Sequence, residues 1–203
     1  MKLMKEDKEP WWLILGEWLW ELLKTIVTVV ALVYLIRGYI VQPFIIQGAS
    51  MEPSFHSGQY LLVERFSRLT HRFERGDVIV FASEHGQSDD FIKRIIGLPG
   101  ETVQLRDNRV FIANTRSPQG FQLVEPYLNP GTPTIPEGSP SSEIKLGPGQ
   151  FYMLGDNRSA SRDSRSFGAI AATDIVGKAW LVTFPLHFFG TVDAPQYSEI
   201  ITG

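Results

Sequence analysis

The chain contains no cysteine. Disulfides, zinc–thiolate sites and a cysteine nucleophile are excluded together, although the compartment stays open because an exported protein can do without disulfides. Histidine is scarce. His56, His71, His85 and His187 are scattered without a His-x-x-x-His spacing, which speaks against a metal centre. Basic excess is also missing: the net charge of −3 lacks the signature of a nucleic-acid binder. There is no Gly-x-Ser-x-Gly, so the nucleophile elbow of α/β-hydrolases is absent. No internal repeat is present, and no long amphipathic helix pattern follows Ile40. What remains is a chain of 203 residues with 43% hydrophobic content, enough for a packed core and sized for one or two domains.

The apolar residues are concentrated first near the N-terminus. After the charged residues Lys2, Lys5, Glu6, Asp7, Lys8 and Glu9 come Trp11, Trp12, Trp18 and Trp20. From Leu22 to Ile36 the only charge is Lys24. Residues 19–40 are long enough to cross a bilayer, with tryptophans at the interface and Arg37 snorkelling at the far end. A cleavable signal peptide is disfavoured because no small-residue cleavage site follows. A buried core helix is rarely apolar all round, and a helix lying on the membrane fits only Trp11–Glu21. The lysine bias places residues 1–18 in the cytoplasm and residues 41–203 on the other side.

Beyond the span, short runs rich in Val, Ile and Phe recur between turn residues. The expected strands are Tyr60–Glu64, Asp77–Ala82, Phe91–Ile96, Thr102–Arg106, Arg109–Ala113, Gln150–Leu154 and Ile175–Thr183, with a hairpin turn at Asp107-Asn108. The pattern is mostly β, and many short strands point to a coiled β-sheet or barrel-like domain. Residues 114–149 carry Pro118, Pro126, Pro130, Pro133, Pro136, Pro140 and Pro148 and read as a long surface insertion.

Three stretches carry chemistry. In Gly48-Ala49-Ser50-Met51-Glu52-Pro53-Ser54, small residues leave room for a substrate backbone beside a serine, and Pro53 restricts Glu52. Such a serine is a turn residue unless a base is at hand. No histidine has a distinctive partner context. In Phe91-Ile92-Lys93-Arg94-Ile95-Ile96, Arg94 stays protonated, whereas a buried Lys93 favours its neutral amine. An ordinary edge-strand charge fits Lys93 equally well, and periodicity does not choose. The third stretch runs from Gly155-Asp156-Asn157 to Asp163-Ser164-Arg165. It is either a polar loop held by Asx and Ser turns or a source of an orienting hydroxyl and an Asp–Arg pair.

In combination and order, these motifs and Gly76-Asp77-Val78-Ile79-Val80-Phe81 and Gly97-Leu98-Pro99-Gly100-Glu101 resemble the bacterial type I signal peptidases, membrane-bound serine–lysine enzymes. The resemblance runs from the span to about Val182. It implies Ser50 as nucleophile and Lys93 as general base. Ser161 would hold the Lys93 amine, Asp163 and Arg165 would form a supporting pair, and Gly155 and Asp156 would belong to the same loop. It implies an extended substrate whose small residues at −1 and −3 enter shallow pockets lined by Phe44, Ile46 and Ile92. The substrates would be preprotein signal peptides, with the lipid bilayer as the other partner, no cofactor, no metal and no nucleic acid. The catalytic domain would face outward or lumenally from a plasma or thylakoid membrane. One departure concerns the oxyanion hole: many Gram-negative members carry a serine where this chain has Gly48, so a second donor is unassigned. Two other readings are a self-cleaving serine–lysine regulator, which needs a DNA-binding module, and a membrane-tethered β-domain without catalysis.

Overall fold

The structure is a computed structural model that describes residues 11–70, 72–82, 90–136 and 142–201; the side chains of residues 14, 35–39 and 198–201 are not described. The charged segment 1–10, His71, His85 and Pro140 therefore lie outside the described residues. The chain divides into two units, Met1–Ile40 and Val41–Gly203.

Among the described residues the first unit holds one helix, α1 (Trp11–Tyr39). It takes in residues 11–18, where the sequence placed only a cytoplasmic segment. Glu21 and Lys24 pair at 2.7 Å on one face. The Thr25 and Thr28 hydroxyls donate to the carbonyls of Glu21 and Lys24 at 2.9 and 2.8 Å, so neither needs water. The described side chains from Trp11 to Tyr34 are exposed. Among the described residues no helix is long and apolar enough to cross a membrane. Glu17, Glu21 and Lys24 all fall in the part of α1 whose side chains are described.

The second unit is mostly β. In chain order its elements are β1 (Val41–Ile45), β2 (Tyr60–Glu64), α2 (Phe66–Thr70), β3 (Val78–Phe81), β4 (Phe91–Gly97), β5 (Thr102–Arg106), β6 (Arg109–Ala113), β7 (Phe121–Val124), β8 (Ser142–Lys145), β9 (Gln150–Leu154), α3 (Ser164–Phe167), β10 (Ile170–Ala171), β11 (Ile175–Phe184), β12 (Gly190–Thr191) and β13 (Ser198–Ile201). One sheet runs β1-β2-β11-β3-β4-β9-β10, with β12 beside β11, and the other runs β13-β7-β6-β5-β8. Every strand pair is antiparallel. The β5–β6 hairpin turns on Asp107 and Asn108, both at positive φ (51° and 59°), the conformation that a two-residue hairpin loop demands and that these residue types tolerate.

Where the two sheets meet, Ile96, Tyr152 and Leu154 join Val103, Leu105, Ile112 and Phe121 in one apolar cluster. A second cluster gathers Ile79, Phe81, Ile95, Met153 and Ile175. A third sets Met51 and Phe55 against Leu61, Val78 and Ala179, which fixes the turn after Ser50 to the sheet.

Residues 114–149 do more than decorate the surface. They supply β7, internal to the second sheet, and β8 at its edge, and bury Phe121, Leu123, Thr134 and Leu146. The prolines stay out of both strands, so the residues between them are free to pair.

Candidate active site

Ser50 sits in a turn between β1 and β2. The Glu52 N–H donates to the Ala49 carbonyl at 3.2 Å, and the Phe55 N–H donates to the Met51 carbonyl at 2.9 Å. Met51, 1% exposed, anchors this turn in the core, and Ser50 beside it is half-buried.

The alternation of β4 sends its two adjacent cations to different partners. Lys93, 2% exposed, donates from Nζ to Ser50 Oγ at 2.8 Å and to the Ile92 carbonyl at 2.8 Å. Its Nζ also lies 5.5 Å from the centre of the Phe91 ring. Burial drives the Lys93 amine down from 10.5 to about 8, against the opposing pull of the Asp163 and Asp156 carboxylates. A lysine of that kind is partly neutral near physiological pH and can accept a proton.

Arg94 turns to the interior. Nε and Nη2 donate to the two oxygens of Asp156 at 2.9 and 2.6 Å, and Nη1 donates to the Gly76 carbonyl at 2.9 Å. The guanidinium also lies 4.1 Å from the Tyr127 ring centre. Burial works against this charge most strongly, but the hydrogen bond and negative charge of Asp156, together with Tyr127 and Tyr197, outweigh it and raise the guanidinium further.

The loop after β9 closes over the Ser50 turn. The Asn157 N–H donates to the Ser50 carbonyl at 3.0 Å, and Asn157 Nδ2 donates to the Ala49 carbonyl at 3.0 Å. Gly155 is where it is because nothing larger fits: a Cβ there would lie 2.1 Å from Ser161 Oγ and 2.5 Å from the Ser50 carbonyl oxygen. Asp163, fully buried, accepts from the Gly155 N–H at 3.0 Å and from Arg165 Nε and Nη2, both at 2.8 Å. It also caps α3 through the Arg165 N–H. A third buried pair, Arg158 with Glu125, reinforced by Thr134 and Tyr127, ties the loop to residues 125–134.

A cleft of about 340 Å³ opens beside Ser50 and Lys93, with Phe44 and Ile46 on one wall and Ile92 on the other. β1 is a terminal strand of its sheet. β4 is paired by β3 along Phe91–Arg94, but by β9 only from Arg94 onward. Among the described residues the backbone of Phe91–Lys93 is therefore unpaired on one side.

Of the residues singled out in the sequence, Phe44, Ile46, Ile92 and Lys93 line the cleft with Ser50, Gly155 packs against the Ser50 carbonyl, and Asp156, Asp163 and Arg165, in the same loop, form ion pairs, while two others are placed otherwise than expected. Ser161 Oγ is buried without a hydrogen-bond partner, so the expected bond to the Lys93 amine is not formed. Gly48 does not line the cleft; its N–H donates to Ser57 Oγ at 3.3 Å. Sequence reasoning set Arg94 aside as unable to act as a base and gave Asn157 no role. Strand alternation next to Lys93, and the place of Asn157 in the third motif, were the available signals. No three metal-ligating side chains gather among the described residues.

Comparison with known proteins gives this geometry a context. A model of the family described as signal peptidase, peptidase S26, matches residues 19–184. The chain is 33% identical over 178 residues to signal peptidase I of Bacillus licheniformis, covering 83% of this chain and 90% of the relative. It is 35% identical over 170 residues to signal peptidase I T of Bacillus subtilis (strain 168), covering 81% and 84%. The crystal structure of a signal peptidase I from Enterococcus faecalis, 30% identical, superposes with a TM-score of 0.41 over 53% of this chain and 96% of that one. The chain belongs to the signal peptidase family, peptidase S26, and is a peptidase of that family.

Proposed function

We propose that this chain cleaves signal peptides from preproteins, with Ser50 as nucleophile and Lys93 as general base. The observation that carries this reading is the 2.8 Å contact of Ser50 Oγ with Lys93 Nζ, whose burial moves the amine to about 8.

The substrate lies extended in the cleft. The unpaired edges at β1 and at Phe91–Lys93 offer backbone donors and acceptors to it. Small side chains at −1 and −3 enter pockets beside Phe44, Ile46 and Ile92. Neutral Lys93 takes the Ser50 proton as Oγ attacks the scissile carbonyl. The C=O π bond opens to an oxyanion, which the Ser50 N–H stabilises. The protonated lysine then gives its proton to the leaving amine as the C–N bond breaks. Water, deprotonated by the same lysine, adds to the acyl carbon, and the lysine returns that proton to Ser50 Oγ as the ester C–O bond breaks, freeing Ser50. Asp163, Arg165, Asp156 and Gly155 hold the loop that shapes this site, and the Ser161 hydroxyl is the group assigned to orienting the Lys93 amine during the reaction. No metal or cofactor takes part.

The chain is held at a bilayer by α1, with its N-terminus cytoplasmic. Support comes from the exposed apolar surface of that helix, with Trp11, Trp12, Trp18 and Trp20 between 59% and 73% exposed. Confinement to the plane that holds the signal peptide raises the effective concentration of substrate. Phe184, Leu186 and Phe189 add exposed apolar side chains that can rest on lipid.

Cleavage of a purified preprotein tests the assignment: Ser50→Ala and Lys93→Ala lose activity, while the four His→Ala variants retain it. Loss in one histidine variant would point to a serine–histidine scheme instead. Retention of the full chain in membrane pellets after carbonate washing tests the anchor, and release into the supernatant contradicts it.

A further inference from the structure

We propose that Asn157 is a positioning residue of the oxyanion hole: it fixes the Ala49–Ser50 peptide plane so that the Ser50 N–H points at the reacting carbonyl oxygen. The inference rests on the reading of Ser50 as nucleophile. A trans peptide is planar, and its N–H points opposite to its C=O. Whatever holds the Ala49 carbonyl therefore aims the Ser50 N–H.

That carbonyl is held from two sides, by Asn157 Nδ2 at 3.0 Å and by the Glu52 N–H at 3.2 Å. The next carbonyl, of Ser50 itself, accepts from the Asn157 N–H at 3.0 Å. One residue thus clamps both peptide units flanking the nucleophile. The Ser50 N–H has no acceptor among the described residues and is left to donate elsewhere. The amide of Asn157 is itself oriented, because Ser159 Oγ donates to its Oδ1 at 3.1 Å and leaves its NH₂ for Ala49. Its backbone is braced by the Asp156–Arg94 pair on one side and by Arg158, whose Nε donates to the Gly155 carbonyl at 3.1 Å, on the other.

The test uses the full chain in detergent micelles and compares wild type with Asn157→Ala. Preprotein cleavage gives kcat and KM. A peptide aldehyde matching the residues before the cleavage site reports the oxyanion directly. Ser50 Oγ adds to the aldehyde carbon, the C=O π bond becomes an oxyanion in the donor position, and the serine proton passes to Lys93. Asn157→Ala should lower kcat about 10- to 100-fold and weaken the aldehyde by a similar factor, with KM and affinity for the matching unreactive peptide amide changed by less than about two-fold. The midpoint of the pH–rate profile should stay that of wild type, since Lys93 is untouched. Asn157→Asp, which keeps the shape and removes the donor, serves as the second variant and should weaken the aldehyde in the same selective way even if Asn157→Ala does not fold. Equal loss for aldehyde and amide, or wild-type kcat, overturns the proposal. Ser50→Ala and Lys93→Ala run in parallel: if they stay active the serine–lysine reading falls, whereas if they are inactive and Asn157→Ala is normal only the role of Asn157 falls.

Discussion

Lys93 Nζ donates to Ser50 Oγ at 2.8 Å although 43 residues separate the two in the chain. β4 carries the lysine to the turn after β1, and burial keeps its charge costly. The contact has consequences for both rate and stability.

Cleavage should rise with pH. The Lys93 amine loses its proton at about 8, so roughly a tenth of the enzyme carries a neutral base at pH 7. The profile of kcat/KM should climb about ten-fold per pH unit below that midpoint and level off above it. A flat profile from pH 6 to 10 would remove the lysine from the rate-limiting protonation.

The same burial lowers stability. In the unfolded chain the amine holds its proton up to 10.5, and in the folded chain only up to about 8. Between those values unfolding takes up a proton, so stability climbs with pH across that window, and below about 8 the full penalty of the buried charge remains. Lys93→Met should therefore abolish cleavage and raise stability at pH 7 by on the order of 2 kcal/mol, a gain that fades toward pH 10. Urea denaturation at pH 7 and pH 10 measures both signs.

Arg94 and Asp156 form a buried pair with relative side-chain exposures of 5% and 1%. Removing either charge alone strands the other: Arg94→Met or Asp156→Asn should cost about 3–5 kcal/mol. The double variant should recover much of that loss. A double-mutant cycle of unfolding free energies reads the coupling, and simple additivity would contradict the pairing.

Gly155 and Ser161 should separate packing from chemistry. Gly155→Ala drives a methyl into the Ser161 side chain and the Ser50 carbonyl, and should cost about 1–3 kcal/mol along with activity. Ser161→Ala removes a buried hydroxyl that has no partner, so stability should stay level or rise by up to about 1 kcal/mol. A fall in kcat without loss of stability then marks Ser161 as a group kept for the reaction, whereas a variant with unchanged kcat assigns it no such role.

Much of the second unit could be read from residue pattern. Tyr60–Glu64, Thr102–Arg106, Arg109–Ala113 and Gln150–Leu154 form strands with the expected bounds, because β-branched and aromatic runs end there at turn residues. β7 and β8 escaped notice because proline density in residues 114–149 masked two four-residue runs, and proline weighs against a strand only where it sits inside one. β1 was hidden by Pro43, which an edge strand tolerates. At the site, the residue types of Ser50 and Lys93 were legible, but their contact was not: it is non-local, and periodicity alone left Lys93 indistinguishable from an edge charge. The partners of Arg94 and Asn157 were illegible for the same reason. Both are set by how β9 and its following loop return to the Ser50 turn.

The most direct measurement is acylation and preprotein cleavage by wild type, Ser50→Ala and Lys93→Ala in one assay. A serine-reactive acylating probe should label wild type at Ser50, label neither variant at that position, and block cleavage in step with labelling. Full cleavage by either variant, or labelling of Ser50 that leaves cleavage intact, would contradict a serine–lysine peptidase centred on Ser50.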